Sequence, residues 1–233
     1  MFLSRAPCAR TLTAAFATAA VCSALACAVT ASSALACSGG YTYAGLYTDR
    51  PVAGVAASVS MLSAPTVNGG TGSHVAAWVG VGGPGMGPGG TNEWLQVGLA
   101  SFDRPDGRLY FELALPHQAP EFTELASGIQ PGDSLRVAVM ELPFDANHWI
   151  VITPKGIEGP FYLPGSHGKW SPVATGESWA KGGSLCNTYA YRFDGVELAS
   201  KRGWRRLHDG LKLQDRGSRV HRISPYTYSA TTV

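Results

Sequence analysis

The sequence predicts an all-β fold, an antiparallel sandwich of two packed sheets with little helix, and three observations carry the prediction. Runs rich in Val, Leu, Tyr, Phe and Trp recur at 53–62, 74–82, 93–102, 108–115, 134–142, 148–153, 160–163, 172–179 and 187–198, each bounded by Gly, Pro, Asn or Asp clusters. Helical periodicity is scarce beside them. Within the runs, side chains alternate as a pleated strand requires: in RLYFELAL (108–115), Leu109, Phe111, Leu113 and Leu115 share one face, and Tyr110, Glu112 and Ala114 the other. In SLRVAVMEL (134–142) neither face is purely polar, which suits a strand in the middle of one of two sheets sharing a core.

The connections agree. Gly82 to Gly90 is a long glycine loop, Asp103 to Gly107 a turn between two runs, and Gln130-Pro131-Gly132-Asp133 a turn leading into a strand. No linker interrupts the chain before residue 199, so residues 37–198 are expected to form one domain.

The first 36 residues read as an export signal. Arg5 and Arg10 give a basic start, Ala, Val, Leu, Thr and Ser dominate the rest, and Ala34-Leu35-Ala36 supplies small residues for cleavage near Ala36. Acylation at Cys37 is the weaker alternative, because Ala34 stands where such signals place Leu. Cleavage removes Cys8, Cys22 and Cys27 and leaves Cys37 and Cys186, an even count for an oxidising compartment. One disulfide between them is expected, worth about 4 to 5 kcal/mol in the chain-entropy model; two buried thiols are the alternative.

Charge is unevenly placed: residues 37–198 hold 8 Lys plus Arg against 14 Asp plus Glu, and residues 199–233 hold 8 against 2. The C-terminal segment reads as a basic tail, solvated or docked on the acidic body it follows, with Trp204, Leu207, Leu211 and Leu213 giving it something to pack. Nucleic-acid binding is not expected of an exported protein of this charge pattern.

Several chemistries are disfavoured. His74, His117, His148, His167, His208 and His221 are scattered singly, with no HExxH or CxxC, so no metal site and no cofactor are expected. The glycine loop lacks the Lys-Ser/Thr ending and following helix of a phosphate cradle. Gly165-Ser166-His167-Gly168 lacks the frame of a nucleophile elbow and reads as a polar turn. Two residues remain. Gln96, in WLQVG (94–98), places an amide that donates and accepts within an alternating strand. Glu177, in VATGESWAKGG (173–183), sits beside Trp179 and small residues, where partial burial would tune a carboxyl for acid or base work. The plain alternatives are a strand amide bonded to its neighbours and a surface carboxylate.

AWVGVGG (77–83) followed by LQVG (95–98) resembles the AWVGIDG and LQTG pair of the eqolisins, secreted glutamic peptidases with a concanavalin-like β-sandwich. The likeness runs on in order through 43–67, YFELALP (110–116), GIQPGDSLRVAVME (128–141) and ATGESW (174–179), covering about residues 40 to 198. The ordered set is far more specific than any one motif.

The resemblance implies Gln96 and Glu177 as the catalytic pair, Trp78 as a wall of the cleft, Glu112 as an acidic neighbour holding Gln96 or a water, and Trp179 beside the substrate. The chain departs from the pattern at Gly82, where the family has Asp, at Val97, and at Ser178, which sets Trp179 one place further from the Glu. The expected function is hydrolysis of peptide bonds in peptide or protein substrates by a secreted monomer, at acidic pH and with no membrane attachment in the mature form. The rival is an inactive module binding carbohydrate or peptide on a floor of Trp78, Trp94, Trp149, Trp170 and Trp179.

Overall fold

The computed structural model describes residues 39–68, 70–182 and 185–233. The export signal read over 1–36, the cleavage near Ala36 and the Cys37 end of the expected disulfide lie outside the described residues. Fifteen strands follow in chain order: β1 Gly40–Tyr47, β2 Gly54–Met61, β3 His74–Gly83, β4 Glu93–Ser101, β5 Gly107–Ala114, β6 Glu121–Ile129, β7 Ser134–Glu141, β8 His148–Thr153, β9 Gly156–Tyr162, β10 Pro172–Ala180, β11 Ala190–Ser200, β12 Gly203–Arg206, β13 Leu211–Gln214, β14 Ser218–Ser224 and β15 Thr227–Thr232. They make a seven-stranded sheet, β13-β1-β10-β3-β4-β5-β6, and an eight-stranded sheet, β14-β15-β11-β2-β7-β8-β9, with β12 paired to β11. The protein is the expected antiparallel β-sandwich.

Alternation explains the layers. On β3, Val75, Ala77, Val79 and Val81 are buried against the second sheet, while His74, Ala76, Trp78 and Gly80 take the opposite face. On β4, Leu95, Val97 and Leu99 point inward and Trp94, Gln96 and Gly98 outward; β5 repeats the pattern with Leu109 and Phe111 inward and Tyr110 and Glu112 outward. The inward set shares one core with Val55, Val59, Val137, Val139, Val151, Phe193 and Tyr228 of the second sheet. Each such large apolar side chain contributes about 1.5 to 3 kcal/mol by leaving water.

Four features depart from the sequence expectation. β1 and β6 carry polar or exposed positions that blur the period; β6 is an edge strand whose pairing with β5 shifts register twice near Leu109. The run expected at 160–163 begins earlier, at Gly156. Trp149 and Trp170 belong to the core, 0% and 1% exposed, so they furnish no binding floor. Residues 199–233, read as a basic tail, supply β12 to β15 and enter both sheets, β13 beside β1 and β15 beside β11.

Candidate active site

The outer face of the seven-stranded sheet holds the candidate residues. Register places them: Glu177 of β10 stands level with Tyr43 of β1 on one side and Ala76 of β3 on the other, and Ala76 is level with Ala100 of β4. Gln96 of β4 is level with Gly80 of β3 and Glu112 of β5. The two chemical groups are thus offset by four positions along the strands, with β3 between their strands. Ala76, Gly98 and Ala100 occupy the same face, so the floor carries little side-chain bulk. Gly80 is required here: a Cβ at that position would come within 2.8 Å of the Gln96 Cβ.

A cavity of about 290 Å3 opens on this face, lined by His74, Ala76, Gln96, Ala100, Phe102, Tyr110, Glu112, Phe122 and Glu177. Gln96 and Glu177 are both buried, at 8% and 6% exposure, and both border it. A larger depression of about 790 Å3 lies away from them, around Thr42, Asn187, Tyr189, Arg216 and Val233; it has no carboxylate side chain on its lining and so no base.

Hydrogen bonds tie the site residues down. The Trp78 indole donates Nε1–H to Oε2 of Glu177 at 3.0 Å, while His74 Nε2 lies 3.2 Å from Oε1. The Gln96 amide donates to the Tyr110 hydroxyl at 3.2 Å, which occupies one of its two N–H groups and leaves the second toward other partners. The Glu112 carboxyl accepts from Trp94 Nε1 at 2.9 Å. Glu112 is therefore the register neighbour of Gln96 without being the group that holds its amide; Tyr110 does that. Trp179 stands beside the cavity, its indole stacked on the His74 ring at 6.1 Å.

The electrostatics follow from burial and crowding. Burial, then the Glu177 charge, pushes the Glu112 carboxyl above its ordinary range, against the pull of the Trp94 N–H and His74. Burial, then Glu177 and Glu112, holds the Tyr110 hydroxyl well above its ordinary value, so it stays a neutral partner for Gln96. A carboxylate held by two donors still has free lone pairs for a water, and a neutral amide can donate to a developing oxyanion without titrating. Among the described residues no three His, Cys, Asp or Glu side chains converge as a metal site would.

Gly82, where the resemblance expected Asp, has φ +85°, and a Cβ there would lie 2.3 Å from the Glu93 carbonyl oxygen. The backbone at this point has no room for the missing side chain. Sequence reasoning gave His74 and Tyr110 no place beside the pair, and it placed Trp94 in an aromatic floor without its bond to Glu112. His74 has the strand parity of Trp78 and Tyr110 that of Glu112, so alternation held a signal for both. The role of β1 beside Glu177 depends on pairing between residues more than a hundred positions apart, and no local pattern encodes it.

No protein-family model matches the sequence, and no curated protein matches it. Solved structures do. Scytalido-glutamic peptidase, solved with a peptide-based transition-state analogue, superposes with a TM-score of 0.54 at 15% identity, over 84% of this chain and 98% of that one. SCP-B, a member of the eqolisin family of peptidases solved with the tripeptide Ala-Ile-His, gives 0.54 at 18% identity over the same shares. At these identities the likeness concerns architecture: the chain has an eqolisin-like fold, that of solved glutamic peptidases.

Proposed function

We propose that the protein is a glutamic peptidase that hydrolyses peptide bonds through Glu177 and Gln96. The observation that carries this reading is that these two residues, from strands with β3 between them, border one cavity on the outer face of the sheet. Glu177 takes a proton from water, and the hydroxyl oxygen attacks the scissile carbonyl carbon. Its π electrons move to oxygen, and the free Gln96 N–H donates to that oxyanion. Collapse breaks the C–N bond, and Glu177 returns its proton to the leaving amine. Trp78 orients the carboxylate, Glu112 lines the cavity, and Trp179 flanks it.

Cleavage of peptide or protein substrates by an exported monomer, at acidic pH, completes the proposal. Residues 1–36 support the export, and the acid range follows from the proposed use of a carboxyl group to protonate the leaving amine. The binding-module alternative is weakened by the burial of Trp149 and Trp170. A peptide library digested from pH 2 to 8 tests the assignment. Gln96→Ala is expected to lower kcat/KM roughly 100- to 1,000-fold through loss of an oxyanion donor. Equal cleavage by wild type, Gln96→Ala and Glu177→Gln would sink the dyad, and no cleavage by wild type at any pH would favour binding.

A further inference from the structure

His74 opens β3 on the outer face, four positions before Trp78 and level with Trp179 of β10. Both ring nitrogens are engaged: Nδ1 lies 3.0 Å from the Gly72 carbonyl oxygen, and Nε2 lies 3.2 Å from Oε1 of Glu177. A backbone carbonyl only accepts, so Nδ1 must carry its hydrogen. That fixes what happens at the other nitrogen. If Nε2 and Oε1 held no proton between them, a nitrogen lone pair would face a carboxylate oxygen; the 3.2 Å contact is attractive only when one proton is shared there.

The surroundings favour that proton. Burial works against the imidazolium, but the hydrogen bonds to Glu177 and Gly72 and the charges of Glu177 and Glu112 outweigh it, so the ring is held above its ordinary value. From β10 it faces Glu177 and the stacked Trp179; from β5, Glu112. From β1 the Tyr41 ring meets it edge-on at 6.1 Å, with Tyr43 behind. Both phenols are raised, by burial first and then by Glu177, and so stay neutral. From β4's end comes only Phe102, at 5.6 Å.

We propose that His74 is the positioning residue of Glu177, and that the proton shared between Nε2 and Oε1 sets the alkaline limit of the site's activity. This rests on the peptidase reading above. While the imidazolium is present, Nε2–H and the Trp78 N–H hold the carboxylate from two sides. When the Nε2 proton leaves, attraction becomes lone-pair repulsion, the carboxylate loses one of its two anchors, and the base is no longer aimed at the water.

Two variants and one spectroscopic measurement test the proposal. His74→Gln keeps an N–H donor that does not titrate; its alkaline limb should move up by at least about one pH unit, with kcat at acidic pH held within a few-fold of wild type. His74→Leu removes the donor; kcat should fall about 10- to 100-fold with KM little changed, as a misaimed catalytic group does. An alkaline limb in His74→Gln that coincides with wild type overturns the proposal, and so does a His74→Leu variant with wild-type kcat. Imidazole NMR titration of the intact protein reads the pairing without turnover: the His74 signal should titrate above the ordinary histidine value and fall in Glu177→Gln, and an unchanged value in that variant overturns it. Failure of the peptidase reading is distinct, since wild type would then cleave no peptide at any pH while the NMR titration still decides the pairing.

Discussion

Two buried carboxyls, Glu177 and Glu93, lie in the same sheet and could hardly be treated more differently. Glu177, on the outer face, is met by an indole N–H and an imidazole nitrogen and borders a cavity. Glu93, at the start of β4, is 0% exposed beneath the glycine loop, and neither of its oxygens has a hydrogen-bond partner among the described residues. Gly87 covers it so closely that a Cβ there would come within 2.8 Å of Oε2. Burial pushes the Glu93 carboxyl up to about 7. Burial with donors keeps a charged group usable; burial without them makes the neutral form the one that folding prefers.

The largest expected effect breaks the first half of the contrast. Glu177→Gln should lower kcat/KM roughly 100- to 10,000-fold, the usual range for losing a proton-transfer group, whereas Glu93→Gln should leave activity at pH 4 near wild type. Parallel progress curves at that pH check both, and comparable losses in the two variants would erase the distinction.

Next in size is a stability effect with a defined sign. The folded-state pKa of Glu93 is raised, so its contribution is fully present below pH 4.5, the unfolded value, and is lost as pH rises through about 7. The loss amounts to at most about 3 kcal/mol between pH 4 and 8. Urea midpoints at the two pH values should converge in Glu93→Gln relative to wild type. His74 and Glu112 are also raised, and each adds a loss of the same sign, His74 above its ordinary value and Glu112 above the ordinary carboxylate range.

Smaller again is Trp78→Phe, which removes one donor to the Glu177 carboxylate. Hydrogen bonds to charged groups contribute about 1.5 to 3 kcal/mol, so kcat should fall at least about tenfold with the fold intact by circular dichroism. The smallest effect is expected from Trp94→Phe. With its N–H gone, the Glu112 carboxyl should move further up, read by carboxyl NMR titration, while the hydrogen bonds of Gln96 and Glu177 are untouched.

Much of this contrast was legible in the sequence, and the remainder was hidden for physical reasons. Strand parity puts Trp78, Gln96 and Glu112 on one face and Val75, Leu95 and Phe111 on the other, and that alternation is written locally. What parity cannot supply is register. The identity of Tyr110 as the partner of Gln96, and of Trp94 as the partner of Glu112, depends on how β4 lies against β5. Glu93 was passed over because its parity is that of core residues, where a carboxyl is unexpected. The aromatic-floor alternative treated its five tryptophans alike, though Trp149 and Trp170 are buried in the core. Among the C-terminal strands, β12 and β13 escaped notice because strands exposed on both faces need no apolar period.

Residues of that C-terminal segment also reach the strand beside Glu177. Asp215 accepts the backbone N–H of Tyr43 at 2.8 Å and Ser218 donates to its carbonyl at 2.7 Å, across separations of 172 and 175 residues. Tyr43 is the cross-strand neighbour of Glu177. The rim beside Glu177 is therefore closed by residues more than 170 positions away along the chain, and such far-reaching closures are slow to form. A change at Asp215 or Ser218 would thus be felt at Tyr43, on the strand that flanks Glu177, although neither residue lies near it in the sequence.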